Sequence, residues 1–312
     1  MSETTAAVPS TPRRSTIDVD RREGLEFDRP PVSLSRLAWR RFRRHRVAMV
    51  STVVLTVLVA LCLAAPWIAP YGYAEQDLSA TFSAPGPGHW LGTDSLGRDQ
   101  LSRLLYGGRI SLAVGFGVAV VAGTVGTAIG AVSGFAGGLA DGVLMRLTDF
   151  MLALPALVVV IVAARNFGDD IVTIVLIVSS ITWMGLARIV RGVTLSLRNQ
   201  EFVLAARSVG AGPMRIVVRH VLPNTAGPII VNLTLTVAAA ILLESALSFL
   251  GLGIQPPTPT WGNMLAGSKG YVSTAPWLVW FPGLLILSTV LCVNFIGDGL
   301  RDALDPADVV SR

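Results

Sequence analysis

Six stretches of the chain are apolar and long enough to cross a lipid bilayer as helices. A spanning helix needs about 17–25 predominantly apolar residues, and only 14% of the 312 residues are charged, against about 25% in soluble domains. Lipid is therefore the solvent for most of the chain, and we expect an all-α membrane protein with six transmembrane helices. The six windows lie at roughly 47–69, 110–135, 144–164, 171–188, 228–249 and 277–297.

The basic residues are distributed unevenly among the segments that join these windows. Twenty of the 25 lie before the first window, at Arg146, between Arg188 and Arg219, or after the last window. Basic loops stay on the cytoplasmic side of a membrane. We therefore expect both termini and the loop 191–225 in the cytoplasm. The net charge of +5 then reflects membrane topology, and we expect no nucleic-acid partner.

Composition divides the chain into segments. Residues 1–32 are rich in Ser, Thr, Pro and Arg, which predicts a disordered cytoplasmic tail. Residues 33–46 combine an apolar stripe at helical spacing with basic flanks, typical of a helix lying at the inner membrane surface; a plain basic topology signal is the alternative. The other segments are a first transmembrane helix at 47–69, kept as an anchor, an extracytoplasmic loop at 70–109, a core of five transmembrane helices at 110–300 and a cytoplasmic tail at 301–312.

Small residues and prolines indicate how the helices pack. Gly126, Gly130 and Gly134 recur every four residues in the second window, and such a face lets helix backbones approach closely. We expect this helix inside a bundle. Pro155 and Pro282 predict a kink or break in the third and sixth windows.

Ionisable residues at membrane depth are candidates for function because they are costly to bury there. Glu244, within the fifth window, is the clearest. It is a candidate for the translocation path, facing a watery cavity, a cation or a substrate amine; a carboxyl hydrogen-bonded within the bundle is the alternative. Arg146 and Asp149, three residues apart, suggest a structural ion pair.

The sequence contains little that indicates catalysis or metal binding. The three histidines have no metal-binding spacing, and no nucleophile elbow occurs. Cys62 and Cys292 both lie in apolar windows, which indicates core or lipid-facing residues. Lys269, in the sequence GSKG, is the only lysine, whereas a phosphate-binding loop needs a lysine that follows Gly and precedes Ser or Thr. We therefore expect no catalytic residue, metal or cofactor in this chain, and ATP and Mg²⁺ would be bound by partner subunits.

The segment Glu201–Asn224, EFVLAARSVGAGPMRIVVRHVLPN, interrupts two apolar windows with a helical pattern. Residues 200–209 predict a short helix. Gly210 suits a left-handed C-cap, and Pro213 suits the first turn of a second helix. Pro223 is expected to end that second helix just before the fifth window. The apolar face of the first helix would carry Phe202, Ala205, Ala206 and Val209.

A helix with a small apolar face between basic flanks is suited to a groove on a partner protein. The alternative is a helix that lies on the membrane surface. In either case the segment is expected to form a helix, a tight turn and a second helix.

These residues resemble the EAA loop of the permease subunits of binding-protein-dependent ABC importers. The resemblance lies in Ala205 and Ala206, then Gly210, then Leu222 and Pro223. Leu204 stands where the family has Glu, and His220 where it has Ile. With Glu201 one turn earlier, these departures resemble the dipeptide, oligopeptide and nickel branch, and Glu201 is a candidate for the role of the missing acid.

Four further blocks, in matching order, resemble the second, C-type permease of peptide importers. With the EAA loop, they extend the resemblance from about Leu34 to Pro306. The blocks are HWLGTDSLGRDQLSRLLYGGRISL (89–112), RLTDFMLALP (146–155), ESALSFLGLGIQPPTPTWGNML (244–265) and GDGLRDALDP (297–306).

The resemblance implies a type I importer permease in the bacterial inner membrane, which takes up di- or oligopeptides. Its partners would be a homologous second permease, two ATPase subunits and an extracytoplasmic solute-binding protein. A cytoplasmic coupling helix would contact the ATPase, through Glu201, Phe202, Ala205, Ala206, Gly210, Leu222 and Pro223. Nickel chelates or glutathione are alternative cargoes. An ion-coupled secondary transporter is the alternative from another class, although Glu244 has no counterpart in the first three windows; a membrane scaffold without transport is a third.

Overall fold

A computed structural model describes residues 34–304 of the chain. The tail expected at 1–32 and residues 305–312 lie outside the described residues. Residues 38–304 form one compact unit, and the described residues form helices without a β-strand.

Among residues 34–304, five helices are long and apolar enough to cross a membrane. They match five of the six apolar windows. In chain order they are α2 (Arg46–Leu63), α4 (Gln100–Ala136), α7 (Ile171–Leu197), a helix running from Pro213 to Phe249 whose last part is α10 (Leu222–Phe249), and α12 (Trp277–Leu304). The shorter helices are α1 (Leu34–Arg44), α3 (Ala65–Ile68), α5 (Gly138–Ala153), α6 (Ala156–Phe167), α8 (Glu201–Ser208), α9 (Pro213–Ile216) and α11 (Trp261–Gly267).

The third apolar window is broken into α5 and α6, which meet at an angle of 86°. Counted as one span, the pair raises the number of spans to six. The break lies at Leu154 and Pro155, where Pro155 occupies the N-cap of α6 and has no backbone N–H to continue α5. The break expected at Pro155 is therefore confirmed. At Pro282, by contrast, α12 continues without interruption.

Helix α4 begins ten residues before the apolar window that predicted it. Asp99 is its N-cap residue and accepts a hydrogen bond from the Ser102 backbone N–H at 2.8 Å. A carboxylate at this position satisfies backbone donors that have no partner inside the helix. The segment expected as a loop at 70–109 therefore ends at Asp99, because hydropathy finds only the apolar part of a helix and misses its polar first turns.

The segments at this end of the bundle are ordered by turns and caps. Thr260 and Asn263 form a reciprocal capping box at the start of α11, which at seven residues is too short to cross a bilayer. Trp261 is fully buried and donates a hydrogen bond from Nε1 to the Leu104 carbonyl at 3.0 Å. Helix α11 is thus a short buried helix at this end of the bundle.

Helix α1 joins the bundle through Phe42, which is buried against Ala48 and Ala303. Trp39 on the same helix is 60% exposed. The helical form agrees with the sequence, and its place at the membrane surface stays a prediction. Cys62 and Cys292 are both free and buried, which confirms that they are core residues.

The most extensive helix–helix contact joins α4 to α7. A Cβ atom on Gly126 would lie 2.6 Å from the Trp183 carbonyl oxygen, and one on Gly134 would lie 2.8 Å from the Arg191 carbonyl oxygen. A Cβ atom on Gly130 would lie even closer to the Ala187 carbonyl oxygen. The expected glycine face is confirmed, and it lets the two backbones touch.

We predict that Gly130→Ala lowers the thermal unfolding midpoint of the purified protein in detergent, because a methyl group at residue 130 forces α4 away from α7. Intrinsic helix propensity alone would favour alanine by about 1 kcal/mol. The matched control is Gly192→Ala in α7, where no atom lies within 4 Å of the added Cβ; its midpoint should be unchanged or higher. Equal midpoints for the two variants would refute the close-contact role of Gly130.

Candidate functional site

A helical hairpin connects α7 to α10 and consists of α8, a tight turn and α9. The Gly210 N–H donates to the Arg207 carbonyl at 2.9 Å and the Ala211 N–H to the Ala206 carbonyl at 3.0 Å. Gly210 has a φ of +82°. This is the Schellman pattern that ends a helix with a left-handed residue, and Pro213 opens α9. The expected helix–turn–helix is confirmed.

A small apolar cluster holds the hairpin to the bundle. Val203, Ile216 and Val221 are buried, and Phe135 and Leu197 pack against them. Ala206 and Ala211 complete this cluster. Val203 was not among the residues predicted from the sequence. Its i, i+3 spacing to Ala206 is the pattern that indicates a shared helix face. The buried face of α8 thus includes Val203 and Ala206 rather than Phe202.

The opposite face of α8 is open to the surroundings. Phe202 is 41% exposed and Val209 is 84% exposed, and Glu201 and Ala205 are exposed as well. The ring of Phe202 lies 6.4 Å from that of His220. Three residues of the expected apolar face, Phe202, Ala205 and Val209, are therefore available to a partner, whereas Ala206 is half-buried and faces the chain itself.

Pro223 does not end the second helix, contrary to the sequence prediction. Residues Val217–Val221 form a π-helical turn, in which the Leu222 N–H donates to the Val217 carbonyl. Pro223 then occupies the first turn of α10. A proline ring clashes with the carbonyl four residues earlier in an α-helix, and a turn widened by one residue relieves this clash. The hairpin therefore continues into α10 without a loop.

Ion pairs fix the neighbouring helix ends. Arg191 on α7 makes a bidentate pair with Asp141 on α5, with Nε at 2.5 Å from Oδ1 and Nη2 at 2.7 Å from Oδ2. Asp149 pairs with Arg188. The expected pair of Arg146 with Asp149 is therefore wrong, because Asp149 points to α7 rather than along its own helix.

Glu244 lies in the bundle core and has no exposed surface. The Ser248 hydroxyl donates to its Oε1 at 2.7 Å, and the Ser111 hydroxyl lies 3.5 Å from its Oε2. Ser111 also accepts the Trp261 backbone N–H at 3.2 Å. In this conformation no cationic side chain among residues 34–304 forms an ion pair with the carboxyl group. These contacts agree with the alternative interpretation, a carboxyl group hydrogen-bonded within the bundle. A role of Glu244 in the translocation path stays a prediction.

Among residues 34–304, no group of three His, Cys, Asp or Glu side chains is placed to hold a metal ion. The candidate site consists of the exposed face of α8 and a buried hydrogen-bonded carboxyl.

Comparison with known proteins gives two family matches. Residues 126–307 match the family described as "Binding-protein-dependent transport system inner membrane component". Residues 33–85 match the "N-terminal TM domain of oligopeptide transport permease C". The first match covers the hairpin, α10 and Glu244, and the second covers α1 and α2.

Curated relatives match over nearly the whole chain. The oligopeptide transport system permease protein OppC of Haemophilus influenzae is 44% identical over 278 residues, which is 88% of this chain and 89% of that protein. The dipeptide transport system permease protein DppC of Bacillus subtilis is 42% identical over 286 residues, or 91% and 89%. OppC of Escherichia coli is 44% identical over 278 residues, or 88% and 92%.

The matched family consists of membrane permease subunits and not of ATPases. The apolar helices, the proline-broken span and the matches at both ends of the chain agree with one another. The chain belongs to the inner membrane components of binding-protein-dependent transport systems and is a multi-pass permease subunit of an ABC importer.

Proposed function

We propose that the permease takes up di- or oligopeptides and that its hairpin 201–221 is the cytoplasmic contact with the ATPase. The observation that carries the coupling role is the continuity of the hairpin with α10. A force applied to α9 is passed to a membrane helix without an intervening flexible loop. The names of the relatives, which refer to oligopeptide and dipeptide transport, support the cargo.

The proposed assembly contains a homologous second permease, two ATPase subunits and an extracytoplasmic solute-binding protein. ATP and Mg²⁺ are bound by the ATPases. The only lysine of this chain, Lys269, is followed by Gly270, whereas the lysine of a phosphate-binding loop is followed by Ser or Thr. This permease supplies half of the translocation path. Membrane lipid covers the rest of its apolar surface.

The coupling residues divide into two groups. Glu201, Phe202 and Ala205 present side chains on the exposed face of α8 and make the contact. Ala206, Gly210, Leu222 and Pro223 shape the hairpin and its junction with α10. The first three residues thus dock on the ATPase, and the other four transmit its movement to α10.

Reconstitution of the complete transporter in lipid vesicles tests the cargo. We expect ATP-dependent uptake of labelled di- or tripeptide in the presence of the solute-binding protein. Nickel ions and glutathione serve as comparison cargoes. Saturable uptake of either one, with none of peptide, would overturn the peptide assignment while leaving the coupling role intact.

We predict that Gly210→Val abolishes peptide uptake while the protein stays in the membrane. No atom lies within 4 Å of a Cβ added at Gly210, so the effect comes from the φ of +82°, which costs about 1–3 kcal/mol for a residue with a side chain. Gly212→Val is the matched control because Gly212 has a φ of −67° and equally open surroundings. Normal ATP-dependent uptake by Gly210→Val would rule out the coupling assignment.

We predict that Phe202→Ala weakens binding of the ATPase about fivefold. Full burial of such a side chain contributes roughly 1.5–3 kcal/mol, and since Phe202 is 41% exposed, docking gains on the order of 1 kcal/mol of this. Phe249→Ala is the control, with the same 41% exposure at the opposite end of α10. Titration of the purified permease pair with ATPase measures both affinities, and an equal loss in the two variants contradicts the docking face.

For Glu244 we propose that the carboxyl group joins α4, α10 and α11 through Ser111, Ser248 and Trp261. Glu244→Gln should retain both thermal stability and peptide uptake, because an amide still hydrogen-bonds to both hydroxyls. Glu244→Leu should lower the unfolding midpoint, since it leaves buried hydroxyls without a partner. A Glu244→Gln protein that is fully stable but transports nothing would instead place the carboxylate in the translocation path.

A further inference from the structure

A small cavity lies at the end of the bundle opposite the hairpin. Its volume is about 80 Å³, well above the ~10–15 Å³ that a single water molecule needs. The cavity lies between the segment 94–103, which includes the first turn of α4, and residues of α11 and its flanks. The functional site described above uses none of its lining residues.

The charged residues that line the cavity carry a net positive charge. They are Asp94, Arg98 and Arg103, and the other lining residues are uncharged. The Arg98 Nε donates to Asp94 Oδ2 at 2.7 Å, and the Arg103 Nε lies 3.6 Å from the same oxygen. One carboxylate thus faces two guanidinium groups, which stay protonated in proteins. A buried charge that lacks a counter-charge is costly.

The neighbouring acid does not supply the missing charge. Asp99 does not line the cavity. Its oxygens accept hydrogen bonds from the backbone N–H and the hydroxyl of Ser102, each at 2.8 Å, and lie 2.9 Å from His89 Nδ1. Asp99 therefore has its own partners at the helix N-terminus.

Hydrogen-bond donors around the cavity are in excess. Gln100 is 2% exposed and lines the cavity, and its Nε2 has no hydrogen-bond partner in the part of the chain that the structure describes. The Arg103 side chain is 4% exposed, and its guanidinium makes one hydrogen bond there, from Nη1 to the Tyr73 carbonyl at 3.2 Å. Each guanidinium has five N–H donors, so both can donate further hydrogen bonds to a bound group.

We propose that this cavity binds a small monovalent anion of about the size of chloride, held by Arg98, Arg103 and Gln100. The anion supplies the second negative charge that the two guanidiniums lack and accepts their unused N–H groups. Charge-assisted hydrogen bonds of this kind are about twice as strong as neutral ones. Its binding fastens the segment 94–103 to α11 and stabilises this end of the bundle.

The test compares thermal unfolding of the complete transporter in chloride and in gluconate at equal ionic strength. Gluconate is a much bulkier monovalent anion than chloride. A ligand that binds only the folded state raises the unfolding midpoint with its concentration, so we expect a midpoint about 2 °C or more higher in chloride. Broadening of the ³⁵Cl NMR line by the protein provides a second, independent readout.

Two substitutions of Gln100 have opposite expected effects. Gln100→Leu removes the amide donors and should weaken chloride affinity about tenfold. Gln100→Glu brings a carboxylate to the guanidiniums in place of the anion. Its midpoint should be independent of chloride and at least as high as that of the unchanged protein in gluconate. Gln76→Glu and Gln76→Leu are the matched controls, because Gln76 is exposed and does not line the cavity.

Three outcomes overturn the proposal. The first is a midpoint of the unchanged protein that is the same in chloride and in gluconate, as expected if the cavity holds only water. The second is a chloride effect of equal size in Gln100→Glu and in the Gln76 controls. The third is an unchanged ³⁵Cl line width on adding the unchanged protein, which decides the question even if a Gln100 variant fails to fold.

Discussion

The contact between α4 and α7 is the interaction on which the rest of the structure depends. In lipid there is no hydrophobic driving force between two apolar helices, so their association relies on close packing. Gly126 and Gly134 provide it by placing the α4 backbone against carbonyl groups of α7. The α7 end held there also carries Arg191, whose pair with Asp141 fixes α5. The position from which the hairpin projects is therefore set by this backbone contact.

The two ends of the bundle are built differently. At one end the hairpin is held by a few apolar side chains, Val203 and Ile216 among them, and keeps much of its surface open. At the other end Trp261, Ser111 and Glu244 join three helices by buried hydrogen bonds. A lightly held hairpin beside a firmly tied opposite end suits a subunit in which one end receives a movement and the helices transmit it.

The sequence predicted features that depend on local chemistry, and it failed where tertiary contacts decide. Gly210 and Pro213 specify a turn through their own backbone preferences, so the helix–turn–helix was predictable, as was the break at Pro155. The prediction that Pro223 ends the second helix was wrong, because the effect of this proline depends on whether the preceding turn can widen. The buried role of Val203 and the partner of Asp149 depend on residues far away in sequence, which hydropathy and spacing do not reveal.

The π-helical turn at Val217–Val221 also sets a direction. One additional residue in a helix rotates everything beyond it by about 100°, so this turn fixes the direction in which α8 projects from the helix Pro213–Phe249. The length of the segment is therefore as constrained as its composition. If residues 217–221 formed a regular α-helix, every side chain of the hairpin would keep its place within its own helix. The exposed face of α8 would nevertheless point in a different direction.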